Sequence, residues 1–127
     1  MYKRQNQLVA IFDWDMCTLG DPLSDLGSLL CYWIDPGDPS FFTNSLIMPK
    51  DESFLSRIQL VQRYAEKSGT DTKQITFYHV LGLFRLIGII AQIYIRFLKG
   101  QTKDKRFAKF GEAIPLIARF ALGISNK

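Results

Sequence analysis

Four carboxylates lie within 13 residues near the start of the chain, at Asp13, Asp15, Asp21 and Asp25. Like charges at this density are costly unless a cation or hydrogen bonds compensate them. Asp13 and Asp15 can point the same way from an extended backbone, and hard oxygen ligands at this spacing suit Mg²⁺ held jointly with substrate phosphates. In the alternative, Asp13 and Asp15 hold no metal, Asp15 faces solvent, and Asp21 and Asp25 only cap and brace a helix.

The flanking residues indicate which elements position these carboxylates. The continuous apolar run at residues 8–12 predicts a buried strand with Asp13 at its carboxyl end, and no other segment is a convincing partner for it. Gly20-Asp21-Pro22 predicts a helix start, because Asp21 can cap free backbone N–H groups and a proline at the first position loses no hydrogen bond. This helix is expected to end before a turn cluster at residues 35–39.

The remainder of the chain has the periodicity of helices. The predicted elements are an irregular loop at residues 40–50, helices at about 51–69, 73–98 and 107–122, and a charged connection at 103–106. The helix at 73–98 is apolar nearly all round, so it is expected to form the core of a helical bundle and to end at Gly100. The last helix is expected to be bent or restarted at Pro115. The predicted fold class is mainly α, with one N-terminal β-strand.

Two features bear on the compartment. Cys17 and Cys31 form no CxxC pair, so they are predicted to be free intracellular thiols rather than a disulfide or a metal pair, and with no secretory signal a cytoplasmic location is expected. Residues 75–98 are long enough to cross a bilayer, but polar side chains, two arginines among them, interrupt them, so no membrane partner is expected. The single histidine, His79, is predicted to be a satisfied core or pocket-edge residue.

Charge is distributed unevenly over the 127 residues, although the net charge is only +4. Residues 1–52 carry eight acidic and three basic side chains, and the remainder is basic. A hydrophobic content of 47% excludes a disordered or fibrous chain. The basic residues around the charged connection are interpreted as solvated, and without a recognised motif no nucleic-acid partner is expected. These residues are Lys99, Lys103, Lys105, Arg106 and Lys109.

Two families share an apolar strand followed by closely spaced aspartates. Residues 9–15 resemble the first half of the opening motif of the haloacid dehalogenase-like phosphatases, a strand followed by Asp-x-Asp-Gly-Thr. Met16 and Cys17 stand where that motif has glycine and threonine, and the alternating strands and helices of a Rossmann-like sheet are not predicted. A phosphatase of this kind is therefore kept only as an alternative.

The second family is that of the aminoglycoside phosphotransferases and choline kinase-like phosphotransferases, which share the protein-kinase-like fold. Residues 8–33 resemble its pattern of an apolar strand, Asp-Trp-Asp/Glu, a short linker and Gly-Asp-Pro-x-x-Asp-Leu-Gly/Ala. The resemblance continues at residues 77–86, 94–100 and 110–116, where the chain looks like the subgroup fused to acyl-CoA dehydrogenases. It covers essentially the whole chain and implies the helical C-terminal lobe of a protein-kinase-like α+β fold.

The resemblance implies a role for each candidate residue. Asp13 matches the family's metal-binding aspartate, which holds Mg²⁺ against the phosphates of ATP, and Asp15 is a plausible second metal or water contact. Asp21 and Asp25 match the acidic pair of the motif, and both are expected to fix the loop and the first helix. Two aromatic residues are candidates for lining the acceptor pocket, although aromatics at helical spacing are also typical of a core. These are Tyr32 and Trp33.

Two parts of the family's domain have no counterpart in the sequence. Nothing corresponds to the nucleotide-binding lobe, and the His-Gly-Asp-x-x-x-x-Asn catalytic loop expected just before the strand is not found. Residues 1–127 are therefore predicted to be a partial phosphotransferase domain, inactive alone. Its expected partners are a small-molecule hydroxyl acceptor and the missing N-terminal part. The alternative is a non-catalytic helical interaction module derived from a kinase-like lobe.

Overall fold

The computed structural model describes residues 2–4, 7–15, 17–39 and 54–126, and its fold is mainly α, as predicted. The elements in chain order are β1 (Tyr2–Arg4), β2 (Gln7–Ala10), α1 (Pro22–Tyr32), α2 (Arg57–Ser68), α3 (Ile75–Leu98), a 3₁₀ turn (Lys105–Lys109) and α4 (Phe110–Ser125). The longest helix, α3, packs against both α1 and α4.

The predicted strand, β2, pairs with a segment that the sequence did not indicate. It runs antiparallel to β1, with Lys3 opposite Leu8. The side chains of Val9, Ile11 and Phe12 are 52%, 54% and 63% exposed, so the prediction of a buried strand is wrong. The physical reason is size, because a two-stranded ribbon has too few strands to bury a face on its own.

Helix α1 begins at the predicted residues. Asp21 has an extended backbone and its Oδ1 accepts a hydrogen bond from the Leu23 N–H at 2.9 Å, while Pro22 occupies the first helical position. Where α1 crosses α3, a Cβ on Gly27 would collide with the backbone carbonyl of Tyr78. The glycine therefore permits a close approach of the two backbones. The buried face of α1 consists of Leu23, Leu26, Gly27, Leu30 and Cys31.

Helix α2 begins later than the sequence predicted, because a capping box sets its first residue. The Gln59 N–H donates to Ser56 Oγ at 3.3 Å, and the Ser56 N–H donates to Gln59 Oε1 at 2.9 Å. Leu55 is not helical, and the predicted start near Asp51 lies outside the described residues. The predicted end at Gly69 is confirmed, since this residue caps α2 in a left-handed conformation with φ 71°.

The core lies where α1, α3 and α4 meet. Leu83 of α3 and Ile117 of α4 have no exposed surface, and Cys31 of α1 is 1% exposed. The prediction that α3 contributes the core is therefore confirmed, although Phe77 and Phe84 on the same helix are mostly exposed. Among the described residues, α3 is the one helix that is long and apolar enough to cross a membrane.

Helix α4 continues through Pro115, so of the two predicted outcomes at this residue, a bend or a restart, the restart does not occur. Proline removes only the N–H that would bond to the carbonyl of Gly111, and one lost bond does not end a helix that is held elsewhere. Ala113 and Ile117, on either side of the proline, are buried in the core and hold the helix in place. The basic connection before α4 is exposed, as predicted.

Candidate functional site

The segment after β2 carries the candidate metal ligands. Asp13 has a left-handed backbone with φ 74°, and it is the only residue other than glycine with a positive φ in the described part of the chain. This conformation costs about 1–2 kcal/mol for a residue with a Cβ. The side chains of Asp13 and Asp15 are exposed. Between them, Trp14 Nε1 donates to the carbonyl of Ile11 at 2.7 Å, which closes a local turn around Asp13.

Asp21 links the end of this segment to two helices. One carboxylate oxygen caps α1, and the other accepts a hydrogen bond from the Tyr78 hydroxyl on α3. The Tyr78 hydroxyl, followed by the Leu23 N–H, lowers the pKa of Asp21, and the same bond raises the pKa of Tyr78. Asp25 lies exposed in the first turn of α1, where the positive end of the helix favours a carboxylate. Sequence reasoning did not identify Tyr78, although it lies within the segment 77–86 that carries the family resemblance.

The two aromatic candidates lie at the other end of α1. Tyr32 is the last residue of this 11-residue helix, so the helix places it about 16 Å from Asp21. Trp33 Nε1 donates to the carbonyl of Leu55 at 2.7 Å, and its ring meets Phe54 edge-on at 5.9 Å. The structure thus places Asp21 and Asp25 at one end of α1 and the aromatic pair at the other. The acceptor-binding role of the pair stays a prediction.

The C-terminal end of α1 adjoins a buried charge cluster that the sequence did not predict. The guanidinium of Arg57 forms two hydrogen bonds to Asp38, at 2.9 and 2.7 Å, and donates to the backbone carbonyls of Leu30 and Trp33. The Arg57 N–H donates to Asp35 at 3.0 Å. These bonds compensate the desolvation of charges whose side chains are only 11% and 6% exposed for Arg57 and Asp38. The feature of the sequence that could have indicated this cluster is the pair of aspartates in the turn at residues 35–39.

His79 lies beside this cluster, in the wall of a groove of about 540 Å³. Its side chain is buried, as predicted, but Nε2 has no hydrogen-bond partner among the described residues. The prediction that this histidine is satisfied is therefore wrong. Burial, with a smaller contribution from the positive charge of Arg57, lowers the pKa of His79 to about 4, so the imidazole is neutral at pH 7.

Both cysteines are free, as predicted. Cys17 is exposed, whereas Cys31 lies in the core and its Sγ donates to the carbonyl of Gly27 at 3.2 Å. Burial raises the pKa of the Cys31 thiol to about 11. This thiol is therefore protonated at pH 7 and packs as a small apolar side chain.

Comparison with known proteins supports one family. Residues 1–52 match the profile of the phosphotransferase enzyme family. Over 99% of its length, the chain is 23% identical to acyl-CoA dehydrogenase family member 11 of Mus musculus and 26% identical to that of Homo sapiens. Over 95% of its length, it is 25% identical to family member 10 of Mus musculus. The chain spans 16%, 16% and 12% of these proteins, respectively.

No solved structure gives a significant match to the chain. The sequence matches nevertheless agree with one another, since the family profile covers the acidic segment and α1, and the relatives extend over nearly the whole chain. They confirm the resemblance predicted from the sequence, to phosphotransferases and to the subgroup fused to acyl-CoA dehydrogenases, and at the level of the family they support a kinase-like phosphotransferase.

Proposed function

We propose that this chain is the C-terminal lobe of an ATP-dependent phosphotransferase that transfers phosphate to a hydroxyl acceptor, and that Asp13 binds its metal. The observation that carries the proposal is the left-handed backbone of Asp13, three residues after the end of β2. Strained residues of this kind concentrate at functional sites, where the strain fixes the direction of a side chain. The position also matches that of the metal-binding aspartate in the family resemblance.

The carboxylates of Asp13 and Asp15 suit Mg²⁺ that is shared with phosphate oxygens better than a metal ion bound by protein side chains alone. In the described part of the chain, no group of three or more histidine, cysteine, aspartate or glutamate residues is placed to hold a metal ion. Asp13 and Asp15 offer at most two exposed carboxylates. Mg²⁺ keeps several waters and binds through one or two carboxylates plus phosphate oxygens, so this number suffices. When bound, Mg²⁺ would neutralise the charge that develops on the transferred phosphate.

Asp21 and Asp25 serve a positioning role in this proposal. Asp21 fixes the end of the acidic segment to α1 through the Leu23 N–H and to α3 through Tyr78. Asp25 adds a negative charge at the N-terminal end of α1. The segment that carries Asp13 and Asp15 is thereby joined to the core of the lobe at its downstream end.

The remainder of the active site belongs to other parts of the proposed phosphotransferase domain. Ile11, Phe12 and Trp14 are each more than half exposed, and such a surface is suited to contact with a nucleotide-binding lobe. Because the resemblance assigns the catalytic base to a loop that these 127 residues do not contain, we expect the isolated chain to have no transfer activity. Tyr32 and Trp33 remain the candidates for contact with the acceptor.

Metal binding tests the proposal without requiring activity. In the isotope-labelled chain, Mn²⁺ with ATP should broaden the backbone amide signals around Asp13 and Asp15 first, because a paramagnetic ion relaxes its nearest nuclei. The Asp13→Asn variant should lose this broadening, while the control Asp71→Asn, which alters another exposed carboxylate, should keep it. Broadening that persists in Asp13→Asn would contradict the role of Asp13.

One observation favours a second function, a non-catalytic interaction module. Large apolar side chains of α3 are exposed, with Phe77 at 60% and Phe84 at 70%. An apolar surface of this kind is typical of a protein-binding face. Size exclusion coupled to light scattering separates the two functions. The module is favoured if the chain forms a discrete oligomer, if Phe84→Ser dissociates this oligomer, and if Asp13 binds no metal.

A further inference from the structure

A groove of about 540 Å³ opens at the C-terminal end of α1, where α1, α2, α3 and α4 approach one another. Its volume lies within the range of small-molecule binding sites, which are mostly apolar with a few placed polar groups. The groove has this composition. Its apolar lining consists of Leu30, Ile58, Val61, Ile75, Phe120 and Ile124.

The charged groups of the groove already bind one another. Arg57 directs its guanidinium at Asp38 and at backbone carbonyls, and Asp35 accepts the backbone N–H of Arg57. The three side chains together carry one net negative charge. An anionic ligand would therefore have to compete with these partners for Arg57 and would be repelled by the remaining carboxylate charge.

Unlike these charged groups, the buried imidazole of His79 has one nitrogen without a hydrogen-bond partner among the described residues. The residue is 7% exposed and lines the groove, and its Nε2 is buried without a hydrogen bond among the described residues. The ring lies edge-on to Phe120, with centroids 6.4 Å apart. A buried polar atom without a partner is unfavourable, so a ligand that supplies the missing hydrogen bond gains affinity by doing so.

We propose that this groove binds an uncharged small molecule with an apolar ring and one hydroxyl group, and that a turn of the His79 side chain on binding brings Nε2, which is buried in the unbound protein, to that hydroxyl. A hydroxyl both donates and accepts, so it can pair with either tautomer of a neutral imidazole. The ring of the ligand packs against Phe120 and the aliphatic wall. The groove lies at the opposite end of α1 from Asp21, and neither Asp13 nor Asp15 lines it, so this proposal does not depend on the proposed metal site.

We use phenol as the test ligand and follow the imidazole nitrogens of His79 by ¹⁵N NMR. His79 is the only histidine of the chain, so these nitrogens give one set of signals. Phenol should shift the Nε2 signal and bind about tenfold more tightly than toluene, which fills the same space without a hydroxyl. Benzoate, which carries a charge, should bind more weakly than phenol. An unshifted Nε2 at saturating phenol, or equal binding of phenol and toluene, would overturn the proposal.

A variant pair isolates the hydrogen bond from the apolar contacts. His79→Leu should reduce the tenfold preference for phenol over toluene to about one, while toluene still binds. Gln92→Leu makes a matched polar-to-leucine change at an exposed position of the same helix, outside this groove, and should keep the preference. Should His79→Leu fail to fold, the wild-type measurements with phenol, toluene and benzoate decide the question alone.

Discussion

Arg57 of α2 and Asp38 of the turn after α1 are joined by two parallel hydrogen bonds, Nη1 to Oδ1 at 2.9 Å and Nη2 to Oδ2 at 2.7 Å. From Nε, the same guanidinium donates to the carbonyl of Leu30 at 3.0 Å, and it lies 5.6 Å from the ring centre of Phe120. One side chain thereby connects the C-terminal end of α1 with α2 and α4.

Arg57→Lys should destabilise the fold. Lysine keeps the positive charge but lacks the planar arrangement of donors that binds Asp38 and the Leu30 carbonyl together. We expect a loss of about 2–3 kcal/mol in the free energy of unfolding, measured with urea. Arg63→Lys, at an exposed position of the same helix, is the control and should change it by less than about 0.5 kcal/mol. Equal effects of the two variants would contradict the structural role of Arg57.

Two glycine substitutions should act in opposite directions. Gly27→Ala adds a methyl group that collides with the Tyr78 carbonyl at the crossing of α1 and α3, so we expect a destabilisation of about 1–3 kcal/mol. Gly88→Ala, in α3, adds a methyl group with no atom within 4 Å and should stabilise the helix by about 0.5–1 kcal/mol. Thermal unfolding of both variants checks the signs. A neutral Gly27→Ala would mean that the helices are not in close contact there.

The helix boundaries that could be predicted from the sequence have local causes. Asp21-Pro22 and Gly69 act through their own backbone conformations and through bonds to neighbouring residues, so a short stretch of sequence identifies them. The start of α2 also has a local signal, the Ser56-x-x-Gln59 capping box, but hydrophobic spacing that extended further upstream placed the start too early.

The contacts that the sequence did not reveal join distant residues. Asp38 and Arg57 are 19 residues apart, and Asp21 and Tyr78 are 57 apart, so no periodic pattern relates them. The acidic segment could be identified as a candidate site from residue type and spacing. The left-handed backbone of Asp13 could not, because the preference of a single aspartate for this conformation is too weak to predict it.

Tyr78→Phe should reduce the acid sensitivity of the fold. The Tyr78 hydroxyl is the main cause of the lowered pKa of Asp21, so folding is favoured by ionised Asp21 above the usual pKa of 3.8 and this stability is lost as the pH falls below it. The variant should show a smaller decrease in stability than the wild type between about pH 5 and about pH 2. Urea unfolding at several pH values measures this. Parallel curves for wild type and variant would contradict it.

The two thiols should differ in reactivity. Cys17 is exposed, whereas Cys31 is buried and burial raises its pKa to about 11, so little thiolate forms at pH 8 and the reagent has no access. We expect a disulfide reagent to modify one thiol rapidly in the native chain and the second only after denaturation. Cys17→Ser should abolish the rapid phase, and a rapid phase that survives this substitution would show that the core around Cys31 opens readily.

His79 should make stability depend on pH in a different interval. In the unfolded chain its pKa is near 6.5, and in the folded chain burial and the nearby Arg57 lower it to about 4, against a smaller opposing effect of Asp38. Between these values the unfolded chain binds a proton that the folded chain does not, so stability is complete above pH 6.5 and falls towards pH 4.

The expected loss over this interval is up to about 3 kcal/mol. His79→Leu should flatten the curve there, while the loss below pH 3.8, which depends on Asp21, should remain. Urea unfolding of the wild type, His79→Leu and Tyr78→Phe across both intervals therefore assigns each part of the pH dependence to one residue. If His79→Leu keeps the full decrease above pH 4, the imidazole is not buried in its neutral form.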